Sequence, residues 1–172
     1  MNYDSLGKYL DRFGFFQETG IPYISEQTGT KNIDVPMDYL RTGFGQSSSI
    51  TVLQLMQAYS AILNDGVMVR PYVVDSIEDA KTGEVKKQYS TKAKGTPISK
   101  ETANKVTEMM KHVLDEGMSG ERFAIDGVSM AAKTGTGEIY NVEQGNMIQS
   151  TIRPVSWQPH RLKIPRSWFT GA

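Results

Sequence analysis

Cysteine is absent from the 172 residues, which excludes a disulfide framework, a thiolate metal site and a cysteine nucleophile. Histidine is nearly absent, and two side chains, His112 and His160, are too few for a dedicated histidine metal centre. An excess of either charge is missing as well: 19 Lys and Arg face 19 Asp and Glu. Nucleic-acid binders carry a basic surplus, so that class of partner is set aside. No apolar run approaches the roughly 18 residues of a membrane helix, and the opening Met1-Asn2-Tyr3-Asp4 has no signal-peptide character. The chain is therefore expected to carry no membrane segment of its own. Its length fits one domain.

What charge there is lies unevenly. Residues 1–144 hold 15 basic and 19 acidic side chains, whereas residues 145–172 hold four basic ones and no acid. The same tail contains both tryptophans and three of the seven prolines. A compositional break of this kind predicts a boundary.

Periodicity predicts the elements. Ser5 to Phe13 reads as a short helix with Leu6, Tyr9, Leu10 and Phe13 on one face, stopped by Gly14. Residues 17–49, broken by glycines and by Pro22 and Pro36, read as one long loop. Thr51 to Leu63 is the clearest helix: Thr51 and Gln54 form a capping box, and Val52, Leu55, Met56, Tyr59, Ile62 and Leu63 are expected to face inward. Val67 to Val74 is a β-rich run, and Ser76 to Tyr89 a polar hairpin. Ser99 caps a second helix to about Glu116, with Ala103, Val106, Met109, Met110, Val113 and Leu114 inward and His112 on its polar side. Gly127 to Tyr140 is a glycine-rich strand candidate.

Lys-Thr-Gly occurs twice. At Lys81-Thr82-Gly83 the flanking Asp79 and Glu84 point to a hairpin turn with Gly83 at positive φ. At Lys133-Thr134-Gly135 the neighbours are Ala131-Ala132 and Thr136-Gly137, small on both sides, as a strand requires when something must approach it closely. On such a strand an ammonium polarises hydroxyls and attracts a substrate carboxylate, and a threonine hydroxyl orients it. A glycine removes the obstructing side chain, and the next N–H can point at a developing oxyanion. The structural alternative is a glycine-weakened core strand.

The run from Glu116 to Thr136 resembles the approach to the Lys-Thr-Gly strand of class B penicillin-binding proteins. Phe44-Gly45-Gln46, and the helix opening Thr51-Val52-Leu53-Gln54, resemble that family's Phe-Gly-Gln turn and Thr-Pro-Leu-Gln helix, with Val52 where proline is usual. Gly7 to Phe16 and Thr19-Gly20-Ile21-Pro22 also fit, so the resemblance covers residues 1–152 in family order. It implies an α/β fold of the α+β type, with helices covering an antiparallel sheet. It also implies a serine D,D-transpeptidase that cross-links peptidoglycan and is acylated by β-lactams. Lys133 and Thr134 would bind the substrate carboxylate, Gly135 would admit it, and Thr136 would offer its N–H to the oxyanion. Implied partners are peptidoglycan stem peptides, β-lactams and the cell-division or elongation machinery, with no cofactor and no metal. The parent would be membrane-anchored with this domain on the extracytoplasmic face.

The family also requires a Ser-x-x-Lys nucleophile and a Ser-x-Asn motif ahead of everything matched here. Ser5-Leu6-Gly7-Lys8 has the first pattern but stands in the helix that follows both motifs in the family, and Thr102-Ala103-Asn104 is the nearest echo of the second. Residues 1–152 are thus expected to be the C-terminal portion of a transpeptidase domain, inactive alone. Residues 153–172 depart from the family's continuation. Read one base earlier, codons for Trp157 to Arg166 permit Met-Ala-Thr-Ala-Pro-Ala-Glu-Asp-Pro-Lys, which restores the family pattern, so this tail is expected to be out of frame. Two other readings compete. Gly127 to Thr134 is one residue from a phosphate-binding P-loop, with Ala132 in the glycine slot, and a non-catalytic interaction module would suit everything before Lys133.

Overall fold

The computed structural model describes residues 3–115, 131–133, 135–141 and 146–152. Helix α1 (Tyr3–Arg12) ends where Gly14 takes φ +70°, the left-handed stop expected of it. The next segment differs from expectation, because residues 17–49 contain a helix, α2 (Pro36–Thr42). Pro36 is its first residue, where a fixed φ and a missing N–H favour helix initiation, and Asp38 reaches back to the Val35 amide at 3.4 Å. A proline that marks a break from one side marks a start from the other.

Helix α3 (Val52–Leu63) begins with the expected reciprocal cap. The Gln54 amide donates to Thr51 Oγ1 at 3.2 Å, and the Thr51 amide donates to Gln54 Oε1 at 3.0 Å. Its buried face is not the expected one. Gln54, Gln57, Ala58 and Ala61 are buried, whereas Val52 is 72% exposed and Met56 lies at the surface. The two glutamines turn inward because the loop before α2 presents carbonyls there: Gln54 Nε2 donates to Gln17 O at 2.7 Å and Gln57 Nε2 to Thr19 O at 3.3 Å.

After α3 the chain turns through Gly66 at φ +86°, where a Cβ would meet the Ile98 carbonyl oxygen at 2.3 Å. Strand β1 (Met68–Arg70) follows, joined to α3 by the Val69 amide on Ser60 Oγ at 3.0 Å. Strands β2 (Ser76–Glu78) and β3 (Val85–Gln88) form the expected polar hairpin. Strand β4 (Lys92–Gly95) returns antiparallel to β1, with Arg70 opposite Lys92.

Helix α4 (Lys100–Asp115) is capped by Ser99, whose Oγ accepts from the Thr102 amide at 3.2 Å. It packs on α3, and Thr107 Oγ1 donates to the Ile62 carbonyl at 3.2 Å. Ala103 and Met110 are buried as expected, but Met109 is 68% exposed and does not fill the core. One residue is a 100° rotation on a helix, so Met109 and Met110 cannot both face α3. The core lies among α3, α4 and β1, through Ala58, Ala61, Met68, Ile98, Ala103 and Met110. Strands β5 (Gly135–Asn141) and β6 (Asn146–Ile152) pair antiparallel, Gly135 opposite Ile152 through Asn141 opposite Asn146. Among the described residues the strands form three antiparallel pairs, β1–β4, β2–β3 and β5–β6.

Candidate active site

Small, buried residues place Lys133. Ala131 and Ala132 are 0% and 1% exposed, and the Ala132 amide donates to the Met110 carbonyl at 3.1 Å, which ties this segment to α4. An alanine lets the backbone come within hydrogen-bond distance of the helix, and a larger side chain would not fit without repacking. Lys133 then emerges exposed at the head of β5. Gly135 and Thr136 are the first two residues of β5, opposite Ile152 and Thr151. Thr134 lies outside the described residues, as do residues 116–130, 142–145 and 153–172.

Lys133, Gly135 and Thr136 thus stand where buried chain becomes strand. A strand from Gly135 excludes the P-loop reading, which needs a helix at that point. The other Lys-Thr-Gly is the turn its neighbours indicate: Asp79 Oδ1 accepts from the Lys81 and Thr82 amides at 2.9 and 3.1 Å, and Gly83 has φ +71°. Ser5 is half-buried on α1, two residues after that helix begins. Thr102 lies in the first turn of α4, where its amide takes the Ser99 cap. Among the described residues no three His, Asp or Glu side chains converge as a metal site would require.

A second organised region escaped the sequence. Glu26 accepts the Thr19 amide at 2.8 Å and the Thr19 hydroxyl at 2.7 Å on one oxygen, and the Gly20 and Ile21 amides at 2.7 and 3.1 Å on the other. Partial burial pushes its carboxyl upward, but the Thr19 hydroxyl and the three amides prevail and hold it below the ordinary range. Lys94 clamps the same loop from outside, donating to the Glu18 and Thr19 carbonyls at 2.7 and 2.8 Å. The sequence signal was the Thr19-Gly20-Ile21-Pro22 step, and nothing in it pointed to Glu26, an acid seven residues after the threonine.

Comparison with known proteins then places the chain in a class of enzyme domain. Residues 1–170 match the family model of the penicillin binding protein transpeptidase domain, and the chain belongs to that family. It is 32% identical over 151 residues to Stage V sporulation protein D of Bacillus subtilis, a match spanning 86% of this chain and 23% of the relative. It is 29% identical over 146 residues to penicillin-binding protein PbpB of Mycobacterium tuberculosis, spanning 77% and 20%. Among solved structures it resembles the D,D-transpeptidase domain of a peptidoglycan glycosyltransferase from Eggerthella lenta, at TM-score 0.73 and 27% identity over 91% of this chain and 40% of that one. Penicillin-binding protein 3 of M. tuberculosis, complexed with aztreonam, matches at TM-score 0.69 and 28% identity over 86% and 34%. The chain spans about a fifth to a quarter of the length of these curated relatives.

Proposed function

We propose that this chain supplies the carboxylate-binding strand of a serine-type, peptidoglycan cross-linking D,D-transpeptidase. The observation that carries the reading is Lys133, exposed at the head of β5 directly after two buried alanines, in a chain of this family. In this reading the Lys133 ammonium and the Thr134 hydroxyl hold the terminal carboxylate of a stem peptide or a β-lactam. Gly135 leaves room for it, and the Thr136 N–H faces the oxyanion that forms when a serine attacks the neighbouring carbonyl. Lys133 also lowers the cost of deprotonating hydroxyls near it.

The nucleophile is a separate matter. The sequence has one Ser-x-x-Lys, Ser5 to Lys8 on α1, and no Ser-x-Asn. We assign neither role to Ser5, so acylation requires a serine from a complementary part of the domain. Among the described residues no helix is long and apolar enough to cross a membrane. Cross-linking of cell-wall peptides would put the domain on the extracytoplasmic side of a membrane-anchored parent.

The test is a chimera in which residues 1–152 replace the matched segment of B. subtilis Stage V sporulation protein D. It should be labelled by fluorescent penicillin, and Lys133→Ala should slow labelling about ten- to a hundredfold, the worth of one charge-assisted contact. Lys81→Ala, on the hairpin turn, should change nothing. Labelling of the Lys133→Ala chimera at the unmodified rate would refute the assignment.

A further inference from the structure

We propose that Tyr23, Tyr89 and Lys87 form a surface site for an anionic glycan. The Tyr23 ring meets the Tyr89 ring edge to face, with centroids 5.9 Å apart and planes at 80°, and their phenol oxygens are hydrogen-bonded. The Lys87 ammonium lies 4.9 Å from the Tyr89 ring centre and 5.8 Å from that of Tyr23. Tyr89 is the fixed wall of the group: it is buried, and its amide donates to the Asp75 carbonyl at 2.7 Å beside the β2–β3 hairpin.

Tyr23 is presented rather than packed. Its φ is +65°, a left-handed backbone that bulky side chains adopt only at a cost, yet its side chain is 64% exposed. The loop that imposes this is held by Glu26 on three amides, by Gln54 and Gln57, and by Lys94. A clasp that merely pinned the hairpin to this loop would bury the ring it used. An outlying backbone conformation that holds an aromatic ring in solvent fits a ligand contact better.

The charges specify the ligand. Arg70 lies within electrostatic reach of Tyr89, so two cations, Lys87 and Arg70, stand beside the pair. Two acids, Glu26 and Glu18, face Lys94, and Glu26 is occupied by the loop amides. A tyrosine face suits the C–H face of a sugar ring, the two phenols suit its hydroxyls, and the Lys87 ammonium suits a carboxylate. This inference rests on the transpeptidase reading in one respect: peptides to be cross-linked are carried on glycan strands, and this site would hold the strand while Lys133 holds the peptide terminus.

Calorimetric titration of the 172-residue chain tests it, with soluble glycan strands bearing peptide carboxylates, a neutral N-acetylglucosamine hexamer, and polyphosphate as a sugar-free anion. The carboxylated strand should bind more tightly than either control. Lys87→Gln should weaken it about fivefold, the scale of a solvent-exposed ion pair, and leave the neutral hexamer unaffected. Tyr23→Ala should abolish both, and Tyr23→Phe, which keeps the ring and loses one phenol, should weaken the hexamer without abolishing it. Binding of no glycan, equal affinities in wild type and Lys87→Gln, or polyphosphate binding as tightly as the strand would overturn the site. So would variants that lower the urea midpoint without changing affinity, which is the clasp outcome. If Tyr23→Ala fails to fold, Lys87→Gln and Tyr23→Phe decide. Penicillin labelling of the chimera depends on Lys133 and is measured separately, so either reading can fail alone.

Discussion

The Ala132 amide donates to the Met110 carbonyl at 3.1 Å, so the residue before Lys133 is fixed to the middle of the domain's longest described helix. The lysine therefore stands beside a support set by α4 and the α3–α4 packing behind it. Ala132→Leu should force α4 and the strand apart at a cost of about 1–3 kcal/mol, the usual penalty of overpacking. In the chimera it should slow penicillin labelling although Lys133 is unchanged. Labelling and urea midpoint both equal to the parent chimera would show that the contact does not position the lysine.

Thr51 and Gln54 cap the same helix but should not be equally valuable. Thr51→Ala removes one cap acceptor and should cost about 1 kcal/mol. Gln54→Ala removes the reciprocal cap and also strips the Gln17 carbonyl of a 2.7 Å partner, and should cost about 2–3 kcal/mol. Urea denaturation of the two variants gives the order, and equal costs would contradict the double role.

Glu26 predicts a pH dependence with a definite sign. Its carboxyl is held below the ordinary value in the folded chain, so the folded state favours the charged form. The stability this contributes is fully present above the unfolded-state value near 4.5 and is lost as pH falls through the lower folded value. Glu26→Gln should lower stability at neutral pH by about 1–2 kcal/mol, because an amide offers one acceptor oxygen where the carboxylate offers two. It should also flatten the acid limb of the stability curve. Parallel curves for wild type and Glu26→Gln would refute this.

How far the sequence could be read depended on the range of the interactions. The Thr51–Gln54 cap, the Asp79 turn and the Ser99 cap are local, and each is visible as a spacing of polar residues. The buried face of α3 was not, because Gln54 and Gln57 turn inward toward carbonyls 37 and 38 residues away. Helix α2 was hidden by Pro36, since a proline that opens a helix looks like one that breaks a loop. The Lys133 strand was legible from its small neighbours and from the family motifs around it. The Tyr23–Tyr89 contact joins residues 66 apart, and nothing in the local pattern of either residue announces it.

The tail has its own test. We propose that residues from about Arg153 are translated out of frame, from their four unbalanced basic charges and their clustered tryptophans and prolines. The family model extends over residues 153–170, whose structure lies outside the described residues. Resequencing the gene should find an alternate frame that stays open through this stretch. An immediate stop codon in that frame would refute the proposal.

In the proposed reading this chain carries the carboxylate-binding strand of a transpeptidase and not its nucleophile. Fluorescent-penicillin labelling of the purified 172-residue protein, run beside the chimera on a denaturing gel after boiling, tests it most directly. The chimera should give a stable band and the chain alone none. A boiling-resistant band on the chain alone that disappears in Ser5→Ala would contradict this reading and make Ser5, with Lys8 one turn on, the nucleophile.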